Sequence, residues 1–170
     1  MRGLRLLLAG LVLALPASAQ SEGAEEVQTP YEAQKVVYDF YFDTPGKINA
    51  ALYWLRAHLK PLSDAPYNIP MDFMDIKVVI HGTEIVTVVK KNEDRFERAV
   101  DRMRYYDQMG VDFKVCSLAA QDYGYQTSDF YGFIDVVPSA MAELAHWQQQ
   151  GYALMVPKVY EREQSIEEIR

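Results

Sequence analysis

The chain has 170 residues and a single cysteine, with 24 acidic and 17 basic side chains and a formal net charge of −7 at pH 7. This charge argues against partners such as nucleic acids and anionic membranes, because both are bound through cationic side chains. One cysteine excludes an internal disulfide, so the stability of the fold must come from a hydrophobic core.

The first residues predict a signal peptide, residues 1–19, and therefore a periplasmic or secreted protein. Arg2 and Arg5 precede an apolar stretch over residues 6–15, and Ala17-Ser18-Ala19 fits a cleavage site. The apolar stretch is too short to span a bilayer, so we expect no membrane association. Cleavage after Ala19 would leave 151 residues with a net charge of −9, enough for one domain. Residues 20–34 predict a flexible, acidic leader.

The first half of the chain predicts two strands, each followed by helical sequence. Residues 35–42 are rich in β-branched and aromatic side chains, as is typical of a strand. Thr44-Pro45 then begins a helix with leucines at helical spacing, and we expect Pro61 to end it. Residues 76–80 predict the second strand. The segment 84–89 is ambiguous between a strand and a helical turn.

The second half continues the alternation. Asn92 begins a helix that ends near Gly110, and residues 111–116 predict the third strand. Short helix, turn, strand, helix and strand follow over residues 117–122, 127–129, 133–137, 138–151 and 152–157. In the helix that Pro138-Ser139 opens, we expect Met141, Leu144 and Ala145 to face inward. Residues 158–170 are charged and predict an arm or a short helix.

Alternating strands and helices favour the α/β class, with one domain over residues 35–157. Such a chain forms a three-layer α/β/α sandwich around a mainly parallel, five-stranded sheet. Ligands of parallel sheets bind beyond the carboxyl ends of the strands. We therefore expect one edge of the sheet to hold the residues that follow the first four strands, namely Asp43, Thr44, His81, Gly82, Cys116, Ser117, Pro138 and Ser139.

Cys116 is the main candidate for chemistry. A helix N-terminus favours the thiolate form of a cysteine, which is the nucleophile in sulfur transfer and disulfide exchange. The alternative is a buried cysteine that acts as a small hydrophobe. His81 would serve as its base or charge partner if the two strands are neighbours, or else would be a hydrogen-bonded structural residue. His58 and His146 lie on predicted helices and are expected at the surface.

Other features point to ligand binding less directly. The aromatic cluster of Tyr123, Tyr125, Phe130 and Tyr131 favours core packing over the wall of a site. A metal site through His81, Cys116 and a methionine remains an alternative, but no CxxC, HxxxH or HExxH spacing supports it. The phosphate-binding motifs GxGxxG and GxxxxGK[ST] are absent. We therefore expect no bound cofactor and no metal.

Four segments in order resemble the DsrE/DsrF-like family over residues 35–157. They are Val78–Gly82, Gly110–Cys116, Val136–Leu144 and Gln148–Pro157. The resemblance implies a three-layer fold and homo-oligomers, commonly trimers or hexamers, or hetero-oligomers with related subunits. In the sulfur-relay members, a cysteine at the position matching Cys116 carries sulfur as a persulfide and exchanges it with donor and acceptor proteins.

Two functional hypotheses follow. The first is an exported sulfur carrier, similar to a sulfurtransferase, that uses Cys116 with His81 and binds its ligand near Gly82, Ser117, Tyr123 and Ser139. The second is a non-catalytic, oligomeric module that binds a small molecule or a protein and has a structural cysteine.

Overall fold

A computed structural model describes residues 23–170. The predicted signal peptide and residues 20–22 of the predicted leader lie outside the described residues. Residues 23–30 belong to a unit distinct from Tyr31–Arg170, and they are exposed and contain no helix or strand. Among the residues described, no helix is long and apolar enough to cross a membrane.

Within Tyr31–Arg170, strands and helices alternate along the chain as the sequence predicts. The strands are β1 (Gln34–Phe40), β2 (Met74–Ile80), β3 (Asp112–Cys116), β4 (Ile134–Val137) and β5 (Ala153–Met155). The helices are α1 (Ile48–Ser63), α2 (Glu93–Gln108), α3 (Ser117–Asp122), α4 (Ala140–Gln149) and α5 (Ile166–Ile169). Short 3-10 segments occupy Pro45–Lys47, Met71–Phe73, Thr83–Val88, Lys90–Asn92 and Thr127–Asp129.

The five strands form one parallel sheet in the order β4-β3-β2-β1-β5. Helices cover both of its faces, so the predicted three-layer α/β sandwich is confirmed. The central strands are buried on both faces, which explains why their sequences are nearly continuous apolar runs.

Two hydrophobic clusters lie on opposite faces of the sheet. The larger cluster packs α1 and α2 against alternate side chains of the strands, including Tyr38, Phe40 and Phe113. The smaller cluster lies under α4 and contains Val37, Val79, Cys116, Ala140, Leu144 and Tyr152. Successive side chains of a strand point to opposite faces of the sheet. Val79 and Cys116 therefore lie on the α4 side, as do the residues two positions before and after Val79.

The structure corrects the predicted end of α1. The helix continues through Pro61 to Ser63. Pro61 lies in the last turn, where its missing N–H removes a single hydrogen bond, and the extra residues bury Leu62. The buried Leu62 belongs to the larger hydrophobic cluster, and this packing favours the longer helix.

The predicted inner face of α4 is also wrong in part. Leu144 is buried, but Met141 is 59% exposed and Ala145 is exposed. The face that packs on the sheet is formed by Ala140, Leu144 and the partly buried Trp147, which follow at helical spacing. The indole of Trp147 therefore belongs to the inner face of the helix.

Three smaller differences concern local structure. In the ambiguous segment 84–89, residues 84–88 belong to a 3-10 helix and Val89 forms an isolated antiparallel bridge with Phe130. The fifth strand covers only Ala153–Met155, three of the six predicted residues. His58 is not a simple surface residue: it is half-buried, and its Nδ1 accepts a hydrogen bond from the Tyr38 hydroxyl at 2.9 Å. His146 is exposed, as predicted.

Candidate functional site

The carboxyl ends of the parallel strands meet at one edge, where a cleft of about 660 Å³ opens. The sheet order reverses here, since β2, β3 and β4 lie on one side of β1 and β5 lies on the other. Parallel sheets bind ligands at such a reversal. The cleft is lined by Tyr41–Asp43 and Lys47 after β1, His81–Thr83 after β2, Ala119 and Asp122 of α3, Tyr123 directly after α3, and Val156–Tyr160 after β5.

His81 is held at the wall of the cleft by two neighbours on β1 and just beyond it. Its Nε2 lies 2.6 Å from Oδ1 of Asp39, and its ring stacks on that of Tyr41 with a centroid distance of 4.9 Å. The His81 side chain is 12% exposed. Because a carboxylate only accepts hydrogen bonds, Nε2 of the neutral imidazole carries the hydrogen and Nδ1 is left as an acceptor. This geometry suits a proton acceptor of fixed orientation.

Cys116 stands beside His81 at the end of the neighbouring strand. Ile80 and Val115 are paired in the sheet register, and His81 and Cys116 follow them directly. Adjacent strands are about 5 Å apart, which sets the spacing of the two backbones. Cys116 immediately precedes α3, as predicted. The neighbouring strands that the sequence hypothesis required are therefore present.

The thiol itself is enclosed. Cys116 is 6% exposed, belongs to the smaller hydrophobic cluster under α4, and does not line the cleft. Within the described residues, no hydrogen bond joins its side chain to His81. Ala119 connects the two environments, because it lines the cleft and also packs against the cluster that contains Cys116.

The other candidate residues divide between two places. Gly82 and Tyr123 line the cleft together with His81. Ser117 and Ser139 do not line it: the Ser117 hydroxyl accepts a hydrogen bond from Gln121, and Ser139 lies directly before α4. The aromatic cluster is divided as well, since Tyr123 faces the cleft while Phe130 and Tyr131 are buried in the core.

Several residues of the site were not found by the sequence analysis. Asp39 is the most important, and its signal was a carboxylate inside the otherwise apolar half of β1, residues 36–40. Nζ of Lys47 lies 2.7 Å from Oδ1 of Asp43, and this contact lowers the pKa of Asp43. Lys158 comes from the segment that we assigned to the charged arm. Such residues are brought to the cleft only by the tertiary fold.

A metal centre made of histidine, cysteine and carboxylate side chains has no ligand set in the part of the chain that the structure describes. No group of three or more His, Cys, Asp or Glu side chains lies close enough to hold an ion there. His81 donates to Asp39, and the Cys116 side chain lies in an apolar cluster.

Comparisons with known proteins agree with the fold. The chain is similar to a protein of unknown function, MTH1491 from Methanobacterium thermoautotrophicum, with 20% identity and a TM-score of 0.58 over 73% of this chain and 99% of the other. It is also similar to the ychN protein from E. coli, with 12% identity and a TM-score of 0.53 over 72% and 98% of the two chains. No curated protein gave a significant match. The profile of the DsrE/DsrF-like family matches residues 35–157, and the chain belongs to that family.

Proposed function

We propose that this protein is an exported sulfur carrier in which Cys116 accepts sulfane sulfur as a persulfide. The observation that carries the proposal is the position of Cys116 in a DsrE/DsrF-like domain, at the end of β3 and beside His81, which directly follows β2. In the sulfur-relay members of this family, the cysteine at the matching position holds the transferred sulfur.

The proposed transfer needs no external oxidant. The Cys116 thiolate attacks the outer sulfur of a donor persulfide, the sulfur–sulfur bond of the donor breaks, and the donor leaves as a thiolate. His81 accepts the thiol proton on Nδ1 while Asp39 holds Nε2, and it returns the proton to the leaving thiolate. The products are a Cys116 persulfide and a free donor thiol.

The donor has to reach an enclosed thiol. The cleft gives access to His81 directly, and Ala119 is the side chain that lies both in the cleft wall and against the cluster around Cys116. We therefore propose that the donor enters the cleft and that α3 moves locally to admit its sulfur. Because α3 has only six residues, we expect its local opening to cost little free energy.

Intact mass after incubation with polysulfide, a sulfurtransferase persulfide or thiosulfate, from which sulfite leaves in place of a thiolate, tests the proposal. The wild-type protein should gain the mass of one sulfur atom, C116S should gain none, and H81Q should gain it more slowly. The proposal is overturned by a wild-type protein that stays unmodified, or by equal addition to C116S.

The second candidate is a non-catalytic binding module with a structural cysteine, and the enclosure of Cys116 favours it. Here the cleft binds a small molecule and the thiol only fills space under α4. Slow labelling of Cys116 by a thiol reagent in the native protein, with fast labelling after unfolding, supports this candidate. Rapid native labelling removes it.

Export is a further part of the proposal, supported by the signal-peptide pattern of residues 1–19. N-terminal sequencing of protein expressed with its natural start should give Gln20 as the first residue. Material that retains Met1 and stays in the cytoplasm would contradict export.

We also propose that copies of the chain assemble through the edge of the sheet at β5. Within the described residues β5 pairs with β1 alone, and its other side is open. Exposed apolar side chains adjoin it, namely Leu154 and Met155 of β5 and Tyr53 and Trp54 of α1. Open edges and apolar patches of this kind are usually covered by a partner, and the family resemblance makes a second copy the expected one.

A further inference from the structure

Glu84 is a carboxyl group buried without a cation. It lies in the 3-10 turn after β2, its exposure is 0%, and no ion pair with it is present among the described residues. Burial raises its pKa, and hydrogen bonds from the backbone oppose that rise. Burying a carboxyl group without a charged partner costs free energy unless hydrogen bonds compensate for the lost water. The hydrogen-bond partners of Glu84 therefore account for its position.

Those partners are backbone N–H groups from two different loops. Oε2 accepts from the N–H of Phe42 at 3.0 Å, and Oε1 accepts from the N–H groups of Gly82 at 2.9 Å and His81 at 3.3 Å. The His81 N–H is shared, because it also donates to the carbonyl of Phe40 at 3.1 Å. Phe42 belongs to the loop after β1, whereas His81 and Gly82 follow β2. All three residues line the cleft. The Glu84 side chain thus links the loop after β1 to the loop after β2, and both loops form part of the cleft wall.

The contact between these loops leaves no free space. A Cβ atom at Gly82 would lie 2.5 Å from the Phe42 nitrogen and 2.6 Å from Oε2 of Glu84, well inside van der Waals contact. Thr83 adds two bonds in the same place, since its N–H and its hydroxyl both donate to the Phe42 carbonyl. The loops are therefore fixed relative to each other by Glu84, Gly82 and Thr83 together.

A carboxylate is the group that suits this position. Both of its oxygens accept, so it satisfies donors on both sides at once. A glutamine of the same shape has one accepting oxygen and an NH₂ group, which would face either the Phe42 N–H or the N–H groups of His81 and Gly82. Replacement of one carboxylate oxygen by an NH₂ group would thus place one hydrogen-bond donor against another and displace one of the two loops.

We infer that Glu84 is a positioning residue: its carboxylate fixes the backbone of His81 and Phe42, and so holds the His81 ring in its contacts with Asp39 and Tyr41. The role in sulfur transfer rests on the proposed function. The link between the two loops concerns the shape of the cleft whatever its ligand is.

The test compares E84Q with T87V. Thr87 is equally buried in the same 3-10 turn, and its hydroxyl bonds only to the Glu84 carbonyl, so T87V controls for disturbance of the turn. NMR of the His81 ring, assigned with H81Q, should show shifted or broadened signals in E84Q and unchanged signals in T87V. Sulfur uptake by Cys116 should slow roughly ten- to a hundred-fold in E84Q alone, as expected when a catalytic group is misplaced.

A measurement on the wild-type protein covers the case in which E84Q does not fold. The amides of Phe42 and Gly82 should exchange slowly with solvent, because the Glu84 carboxylate accepts from both. Fast exchange of these amides overturns the inference, as does a folded E84Q with unchanged His81 signals. If wild-type Cys116 takes up no sulfur, the proposed function fails, while the NMR signals and amide exchange still decide the role of Glu84.

Discussion

At the scale of single residues, the site depends on one position that admits no side chain. Gly82 lies between Phe42 and the carboxylate of Glu84. We expect G82A to lower the free energy of unfolding by about 1–3 kcal/mol, because an added methyl group in a filled space forces the backbone to shift. Urea denaturation measures the change. G46A is the matched control in the neighbouring loop, since a Cβ there contacts nothing within 4 Å. Equal stabilities for G82A and G46A would contradict the prediction.

A second residue-scale prediction concerns pH. Burial lowers the pKa of His58 below its ordinary value of 6.5, while its Nδ1 accepts a hydrogen bond from Tyr38. The unfolded chain therefore binds the proton more readily than the folded one. The stability that neutral His58 contributes is complete above about pH 6.5 and is lost as the pH falls from there through the lowered folded pKa.

Urea midpoints at neutral and mildly acidic pH measure this loss. H58Q should lose less stability on acidification than the wild-type protein. H146Q, which alters an exposed histidine, should behave like the wild type. A loss in H58Q as large as in the wild type would show that the acid sensitivity lies elsewhere.

At the scale of elements, α4 is the cover that encloses Cys116. Leu144 packs in the same cluster as the cysteine. We expect L144A to lower the free energy of unfolding by about 2–5 kcal/mol, because it leaves a cavity in a packed core. It should also speed native labelling of Cys116, since the cavity adjoins the thiol. M141A, on the exposed face of the same helix, should change stability by less than about 0.5 kcal/mol and leave labelling unchanged.

The elements also show how far sequence reasoning reaches. The short helix α3 and the strand before it were predicted because β-branched residues give way to helix-forming ones at Cys116. The face of α4 was not, because Met141 and Ala145 are as apolar as the residues that are buried. Trp147 lies on the inner face through contacts that the pattern of α4 does not contain: Nζ of Lys77, from β2, lies 4.9 Å from the centre of its ring, and Tyr152, just after the helix, packs edge-on against it.

The candidate site was predictable to the same degree. That His81 and Cys116 follow neighbouring strands could be expected from parallel topology. The bond between His81 and Asp39 could not, because it joins residues 42 positions apart and depends on the register of β1 against β2. The bonds of Glu84 were equally hidden, since a glutamate after a strand usually predicts a solvated surface.

At the scale of the whole molecule, the open edge of the sheet predicts an assembly. Trp54 of α1 and Met155 of β5 contribute to one apolar depression, together with Tyr38, Tyr53, Ala57 and His58. A charge placed in this depression would have to be desolvated when two copies meet, so W54E should shift the protein toward the monomer. Light scattering coupled to gel filtration measures the mass. L118E changes another exposed apolar residue, on α3 and away from this edge, and should keep the assembly of the wild-type protein. A wild-type monomer, or an assembly unaffected by W54E, would contradict a contact at β5, whereas loss of assembly in L118E would place the contact near the cleft instead.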